Sequence, residues 1–205
     1  MAVQQHRLNF PLSEADARRL RAGDLVTLDG EIVITAGLPT HERLLRCLEG
    51  QEPLPLSLEN ASVMHLGSYS RDVGGRFEVL YLNPTTSTRF NPFMPRLLRG
   101  FRWHAVGGKG GLDEASAEAL CEVGAVYLSF LGGGCTLLSQ AIEEVVEVGW
   151  SDMLTHYRLV RLKVQGLGPA TVGIDAQGRS LYEEEKVAAQ SRRAAIIAQM
   201  DAARR

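Results

Sequence analysis

Lysine is nearly missing from this chain: three, at positions 109, 163 and 186, stand against nineteen arginines. In a composition that so prefers arginine, a lysine set between glycines, as Lys109 is, marks a place where a compact ammonium group is wanted. Cysteine is equally scarce. Cys47, Cys121 and Cys135 are odd in number, far apart and free of any Cys-x-x-Cys spacing, which excludes a disulfide framework and an iron–sulfur or zinc site made by this chain alone. Reduced cysteines and a cytoplasmic location are expected. Long apolar runs are absent, so neither a secretory leader nor a membrane partner is expected. The formal net charge is only −2, which argues against a nucleic-acid groove and against electrostatic attachment to a membrane surface. What is present, 45% hydrophobic and 22% charged residues over 205 positions, is the composition of one globular domain large enough to bury a core.

Residues 1–17 read as an N-terminal arm in which Leu8 and Phe10 alternate with polar neighbours and Ser13 caps a short helix. Leu25, Val26 and Leu28, then Ile32, Val33 and Ile34, predict two strands folded back as a hairpin at Asp29-Gly30. Thr40 is placed to cap a helix over about 41–49, and residues 50–61 read as a loop. Val63–Leu66 and Arg76–Leu82 read as strands joined across Asp72-Val73-Gly74-Gly75. A short helix at 96–99, a strand at 103–106 and a helix at 114–123 follow. Ala125–Leu131 is an apolar strand that Gly132-Gly133-Gly134 turns into a helix from Leu137 to about Ile142, with Glu143 and Glu144 as its solvated end. Strands at 147–150, 157–165 and 170–174 complete the sheet. The repeated order of strand, glycine turn and helix predicts parallel strands covered by helices. A domain over 18–182 is thus expected, followed by a C-terminal helix, 183–205, packed on the domain or on a partner; its acids come early and its arginines late, in keeping with the helix dipole.

Two runs carry chemistry. Asn83-Pro84-Thr85-Thr86-Ser87-Thr88-Arg89 puts four hydroxyls and a guanidinium where a strand ends. Gly107-Gly108-Lys109-Gly110-Gly111 strips side chains from both flanks of an ammonium, so that backbone N–H groups can approach an anion, with the N-terminus of the helix at 114 facing it. Either run alone reads equally well as a turn that bonds its own backbone. Together they point to half of an anion-binding active site. It is not a nucleotide loop, because Lys109 is followed by Gly110 where magnesium chemistry needs Ser or Thr. Cys135 has no histidine motif beside it and reads as helix packing, and Trp150 reads as a core or interface anchor.

The order of motifs resembles the β subunit, equivalently the C-terminal domain, of iron–sulfur hydro-lyases of the class I fumarase and L(+)-tartrate dehydratase family. The residues concerned are Gly23-Asp24, Gly30-Glu31-Ile32, Thr35-Ala36 with His41 and Arg43, Pro84-Thr85-Thr86-Ser87 with Arg89, Gly108-Lys109-Gly110-Gly111, Gly132-Gly133-Gly134 and Val148-Gly149-Trp150. The resemblance implies a swivelling β/β/α-type α/β fold, with a mixed sheet covered by helices. It implies reversible hydration of a small hydroxy-dicarboxylate, with a [4Fe–4S] cluster ligated by a partner α subunit rather than by this chain, in an assembly such as α2β2. It also implies Thr85 as catalytic base, and Thr86, Arg89, Lys109 and His41 at the substrate. A second role is open to His41, as a hydrogen-bonded residue that fixes its own helix. Where relatives carry Thr-Ala-Arg-Asp, this chain has Thr35-Ala36-Gly37-Leu38, and glycine has no equivalent of a bidentate guanidinium. Three consequences are open: a substrate that differs at that end, another arginine such as Arg43 or Arg71 reaching in, or impaired activity. The last would leave a non-catalytic, carboxylate-binding scaffold subunit as the alternative. A self-contained enzyme using Cys135 or a histidine lacks any recognisable nucleophile–base pair.

Overall fold

β-branched and leucine residues at alternate positions give nine strands among the described residues, seven of them in one mixed sheet. The computed structural model describes residues 3–204. In order these are β1 (Gln5–Phe10), α1 (Glu14–Ala17), β2 (Leu25–Ile34), α2 (Leu38–Leu48), β3 (Ser62–Met64), β4 (Leu66–Val73) and β5 (Arg76–Pro84). There follow α3 (Met94–Phe101), β6 (Ala105–Gly108), α4 (Glu114–Val123), β7 (Val126–Ser129), α5 (Cys135–Ser139), β8 (Ile142–Gly149), β9 (Leu159–Ile174) and α6 (Leu181–Ala203). Single 3₁₀ turns lie at Ser87–Phe90 and Thr155–Tyr157.

β1, β2, β3, β6 and β7 lie side by side and parallel. β9 is antiparallel, sixteen residues long, and pairs with both β7 and β2. It thereby closes β2, β3, β6, β7 and β9 into a small barrel, with β1 and β8 as outer strands. The mixed sheet covered by helices expected of the α/β fold is therefore present. Period-two alternation divides the core in two. Ile32, Ile34, Val126 and Leu128 belong to one cluster with Phe10 and Leu162. Their sequence neighbours Val33 and Tyr127 belong to a second, packed with Leu97, Leu98 and Trp103 from α3 and beyond it and Leu120 from α4.

Asp29-Gly30 does not reverse the chain. β2 runs straight through it, because β1 on one side and β9 on the other each offer that strand a partner. The register against β9 shifts between Leu28 and Gly30, so the turn signal marks a bulge. Gly30 holds φ at +93°, and a Cβ there would run into the carbonyl oxygen of Phe10. Gly30→Ala is accordingly expected to destabilise the fold by about 2–3 kcal/mol, read as a lower urea midpoint with activity of the folded fraction unchanged. An unaltered midpoint would refute the reading.

Other expectations shift by one element. The segment read as an arm supplies β1 to the sheet, and the two strands at 157–165 and 170–174 are one strand, β9. Glu143 and Glu144 lie in β8 and face solvent from a strand, not from a helix end. The N-terminus of α4 is capped by its own Asp113, whose carboxylate accepts from Ser116 N at 3.0 Å and Ser116 Oγ at 2.6 Å. α6 is tied down by Tyr182, which packs over Gly111 and Gly173, and none of its described residues is buried. No described helix is long and apolar enough to cross a membrane.

Candidate functional site

At His65 the chain leaves the barrel for the β4–β5 hairpin, and at Pro84 it comes back. The return is stitched to the departure: Thr85 N donates to His65 O at 2.8 Å, and His65 N donates to Gly107 O at 2.6 Å. The hydroxyl run then lies edge to edge with the lysine loop. Lys109 N donates to Thr85 O at 3.0 Å, and Ser87 N donates to Lys109 O at 2.8 Å. The two motifs singled out in the sequence thus form one parallel bridge, Thr86 to Lys109. Arg89, in the turn that follows, reaches back so that Nη2 donates to Thr85 Oγ1 at 2.7 Å. The side chain of Lys109 runs past Gly132, where a Cβ would stand 3.7 Å from its Cδ, and has no carboxylate partner among the described residues.

Thr85 and Lys109 open onto a polar cleft of about 350 Å³. The hairpin contributes Ser68, Tyr69 and Asn83, and the 3₁₀ turn contributes Thr155 and His156. A hydroxyl already bonded to a guanidinium, beside an ammonium without a carboxylate partner, is an arrangement that suits an anion. The glycines serve two ends. Gly110 and Gly111 hold φ at +83° and +80°, where other residues are strained. Gly107 and Gly108 are instead needed for packing within β6, since side chains there would collide with Met64 Sδ and Ser87 Oγ.

Not every candidate reaches the cleft. Thr86 is half-buried and sets its methyl group beside Gly110. His41 is fully buried, stacked on Phe90 at 4.0 Å between ring centroids, so it is a layer behind the cleft and not on its wall. Its Nδ1 lies 2.7 Å from Gly37 O and its Nε2 lies 3.3 Å from His65 Nε2. His65 Nδ1 in turn lies 2.8 Å from Ser87 Oγ, which accepts from the Tyr127 hydroxyl at 2.9 Å. His65, Tyr127, Thr155 and His156 were not singled out from the sequence. Of the polar groups behind the cleft, Ser87 and His41 stood inside motifs.

Burial pushes the His41 pKa down to about 4, opposed by its bond to Gly37 and helped by the charge of Arg89. Burial, His41 and Arg89 hold His65 well below the ordinary histidine range. An unfolded histidine titrates near 6.5, so on acidification the unfolded chain takes up protons first. Stability is therefore full above about pH 6.5 and falls as pH drops toward 4, by about 3 kcal/mol for His41 alone. Urea titrations at stepped pH check this; a profile that is flat over that window, or unchanged in His41→Gln, would contradict it.

Gly37 is closed to any side chain. A Cβ there would meet Thr40 Oγ1 and lie 3.0 Å from the Tyr157 ring. The Thr155–Tyr157 turn is docked on this segment, with Ala36 N donating to His156 O at 3.2 Å and the hydroxyls of Thr35 and Thr40 donating to Tyr157 O. Neither alternative arginine enters. Arg43 pairs with Glu52 and Asp152 and lies over the Trp150 ring at 4.6 Å, and Arg71 bonds Glu78 across the hairpin. Cys47, Cys121 and Cys135 sit on three different helices as free thiols, and among the described residues no three His, Cys, Asp or Glu side chains gather as a ligand set. This chain's own residues do not fit an iron–sulfur cluster.

A five-stranded barrel under helices, with an ammonium and a guanidinium-bound hydroxyl at the mouth of a polar cleft, defines a single mixed α/β domain with a candidate anion site. The chain matches the family described as Fumarase C-terminus over residues 2–185, and it belongs to that family. It is 32% identical over 174 residues to the "putative L(+)-tartrate dehydratase subunit beta" of Methanocaldococcus jannaschii, covering 84% of this chain and 89% of that one. It is 30% identical over 190 residues to the "L(+)-tartrate dehydratase subunit beta" of Escherichia coli K12, covering 93% and 92%. It is also 31% identical over 183 residues to a "putative fumarate hydratase class I" of Geobacillus stearothermophilus, where the match spans 86% of this chain and 33% of the longer relative.

Proposed function

We propose that the chain is the β subunit of an iron–sulfur-dependent hydro-lyase that adds water to, or removes it from, a small hydroxy-dicarboxylate, together with a cluster-bearing α subunit. The observation that carries this reading is the Thr85 hydroxyl held by Arg89 at 2.7 Å and bridged by backbone to Lys109 at the mouth of the cleft. Dehydration removes a carbon-bound proton next to a carboxylate, forms a carbon–carbon double bond and expels hydroxide from the neighbouring carbon. A threonine hydroxyl is a weak base, but a guanidinium donating to its oxygen favours loss of the hydroxyl proton to solvent, and the alkoxide so formed can take the carbon-bound proton. Lys109 meets the substrate carboxylate, whose negative charge grows as the C–H bond breaks. The partner's cluster would supply a Lewis-acidic iron to the departing hydroxyl.

An α subunit has a surface to land on. Tyr69 and Tyr81 line the cleft, and Leu80, Leu131, Leu137 and Leu154, also exposed, flank the same elements. Exposed apolar residues gathered around a polar cleft are the mark of an interface. In keeping with this, two of the relatives are named as β subunits. Anaerobic co-expression with the α subunit, then assay on a panel of hydroxy-dicarboxylates, is expected to show turnover by the complex and none by the isolated chain. A cluster-loaded complex that turns over nothing would favour the scaffold reading, to which the closed position at Gly37 gives some support.

A further inference from the structure

Tyr127, Ser87, His65 and His41 make one hydrogen-bonded chain that the hydration chemistry does not use, though all four side chains are fully buried. Its direction follows from the ends. Gly37 O can only accept, so His41 Nδ1 carries the hydrogen. A neutral His41 then has a bare Nε2, which accepts from His65 Nε2–H. His65 Nδ1 is bare in turn and accepts from Ser87 Oγ–H, while Ser87 Oγ accepts from Tyr127. The run starts on β7 in the barrel wall and ends at the residue before α2. Its two middle members are also the residues whose main chains hold the cleft together: His65 bonds Thr85 N and Gly107 O, and Ser87 bonds Lys109 O.

We infer that this buried chain is the positioning device of the site: by fixing His65 and Ser87 from behind, it holds Thr85 and Lys109 together at the cleft. A fully satisfied polar network in a packed interior is rigid, because each lost bond leaves a buried partner stranded. The four are positioning residues, since none of them opens onto the cleft. Only the catalytic readout below rests on the function proposed above.

The test uses the full chain with its partner and four variants that delete or reroute bonds of the buried network: Tyr127→Phe, Ser87→Ala, His65→Asn and His65→Ala. Amide exchange at Ser87 and Lys109, the two bonds that join the motifs, is expected to quicken about tenfold in the first two, the factor one ordinary hydrogen bond is worth, with β2 and β9 amides unchanged. In the complex kcat should fall by about the same factor with KM within about twofold. His65→Asn, whose amide oxygen can stand in for Nδ1 toward Ser87, should recover much of what His65→Ala loses. Nitrogen-15 spectra should show His41 protonated at Nδ1 and His65 at Nε2. Wild-type exchange at Ser87 and Lys109 in Tyr127→Phe and Ser87→Ala, or a charged imidazolium at either ring at neutral pH, would overturn the inference. If the wild-type complex turns over nothing, the hydro-lyase reading fails while the exchange and nitrogen signals still decide this one.

Discussion

Thr85→Ala, assayed in the complex with the α subunit, is expected to lower kcat roughly 10³-fold while leaving KM within a few-fold, the size of effect that loss of a positioned base produces. The fold gives the substitution little to disturb. Thr85 is half-buried, and both of its main-chain bonds, to His65 O and from Lys109 N, survive the change. What is lost is the oxygen to which Arg89 donates. Thr85→Ser keeps that oxygen without the methyl group and should retain substantial activity. A stability measurement close to wild type separates the chemical effect from a folding one. If Thr85→Ala kept more than about a tenth of the wild-type kcat, the base would have to be another group and the role of Arg89 would need a different account.

The hydroxyl was legible in the sequence because its motif was local: a strand, a proline turn and a run of Thr and Ser. The same holds for Lys109, and for helix α4, whose expected ends match its observed ones. What the sequence hid was set by distance. His65 lies in the break between β3 and β4 and Tyr127 in β7, and each finds its polar partner in Ser87, 22 and 40 residues away. No periodicity reports such a contact. The misread hairpin at Asp29-Gly30 has a related cause. A turn and a bulge ask for the same left-handed glycine, and which one forms depends on whether strands are available on both sides. β1 and β9 are available, and the aspartate's carboxylate is spent on Arg7 and on Gly166 N. Glu143 and Glu144 were misplaced because the outer strand β8 turns charged side chains to solvent, a pattern that a helix end also shows. The missing arginine at position 37 was plain from the sequence. That Tyr157 and Thr40 fill its place was not.

Lys109→Ala is expected to cost roughly 10²- to 10³-fold in kcat/KM, since it removes a cation that faces the cleft without a carboxylate partner of its own among the described residues. Two features make the effect local. Lys109 is held by main-chain bonds to Thr85 and Ser87 that alanine preserves, and its stem passes over Gly132. Lys109→Arg should fail to restore activity, because a planar, longer guanidinium cannot occupy the point taken by a compact ammonium. The loss should fall on both parameters, on KM through the ground-state carboxylate and on kcat through the charge that grows as the proton leaves. Dicarboxylate binding measured by calorimetry on the complex gives a readout independent of turnover, and it should weaken in step with KM. Normal binding and turnover in Lys109→Ala would mean that the partner subunit holds the carboxylate by itself. The cleft of this chain would then serve as a wall of the site, and its ammonium would have no part in the chemistry.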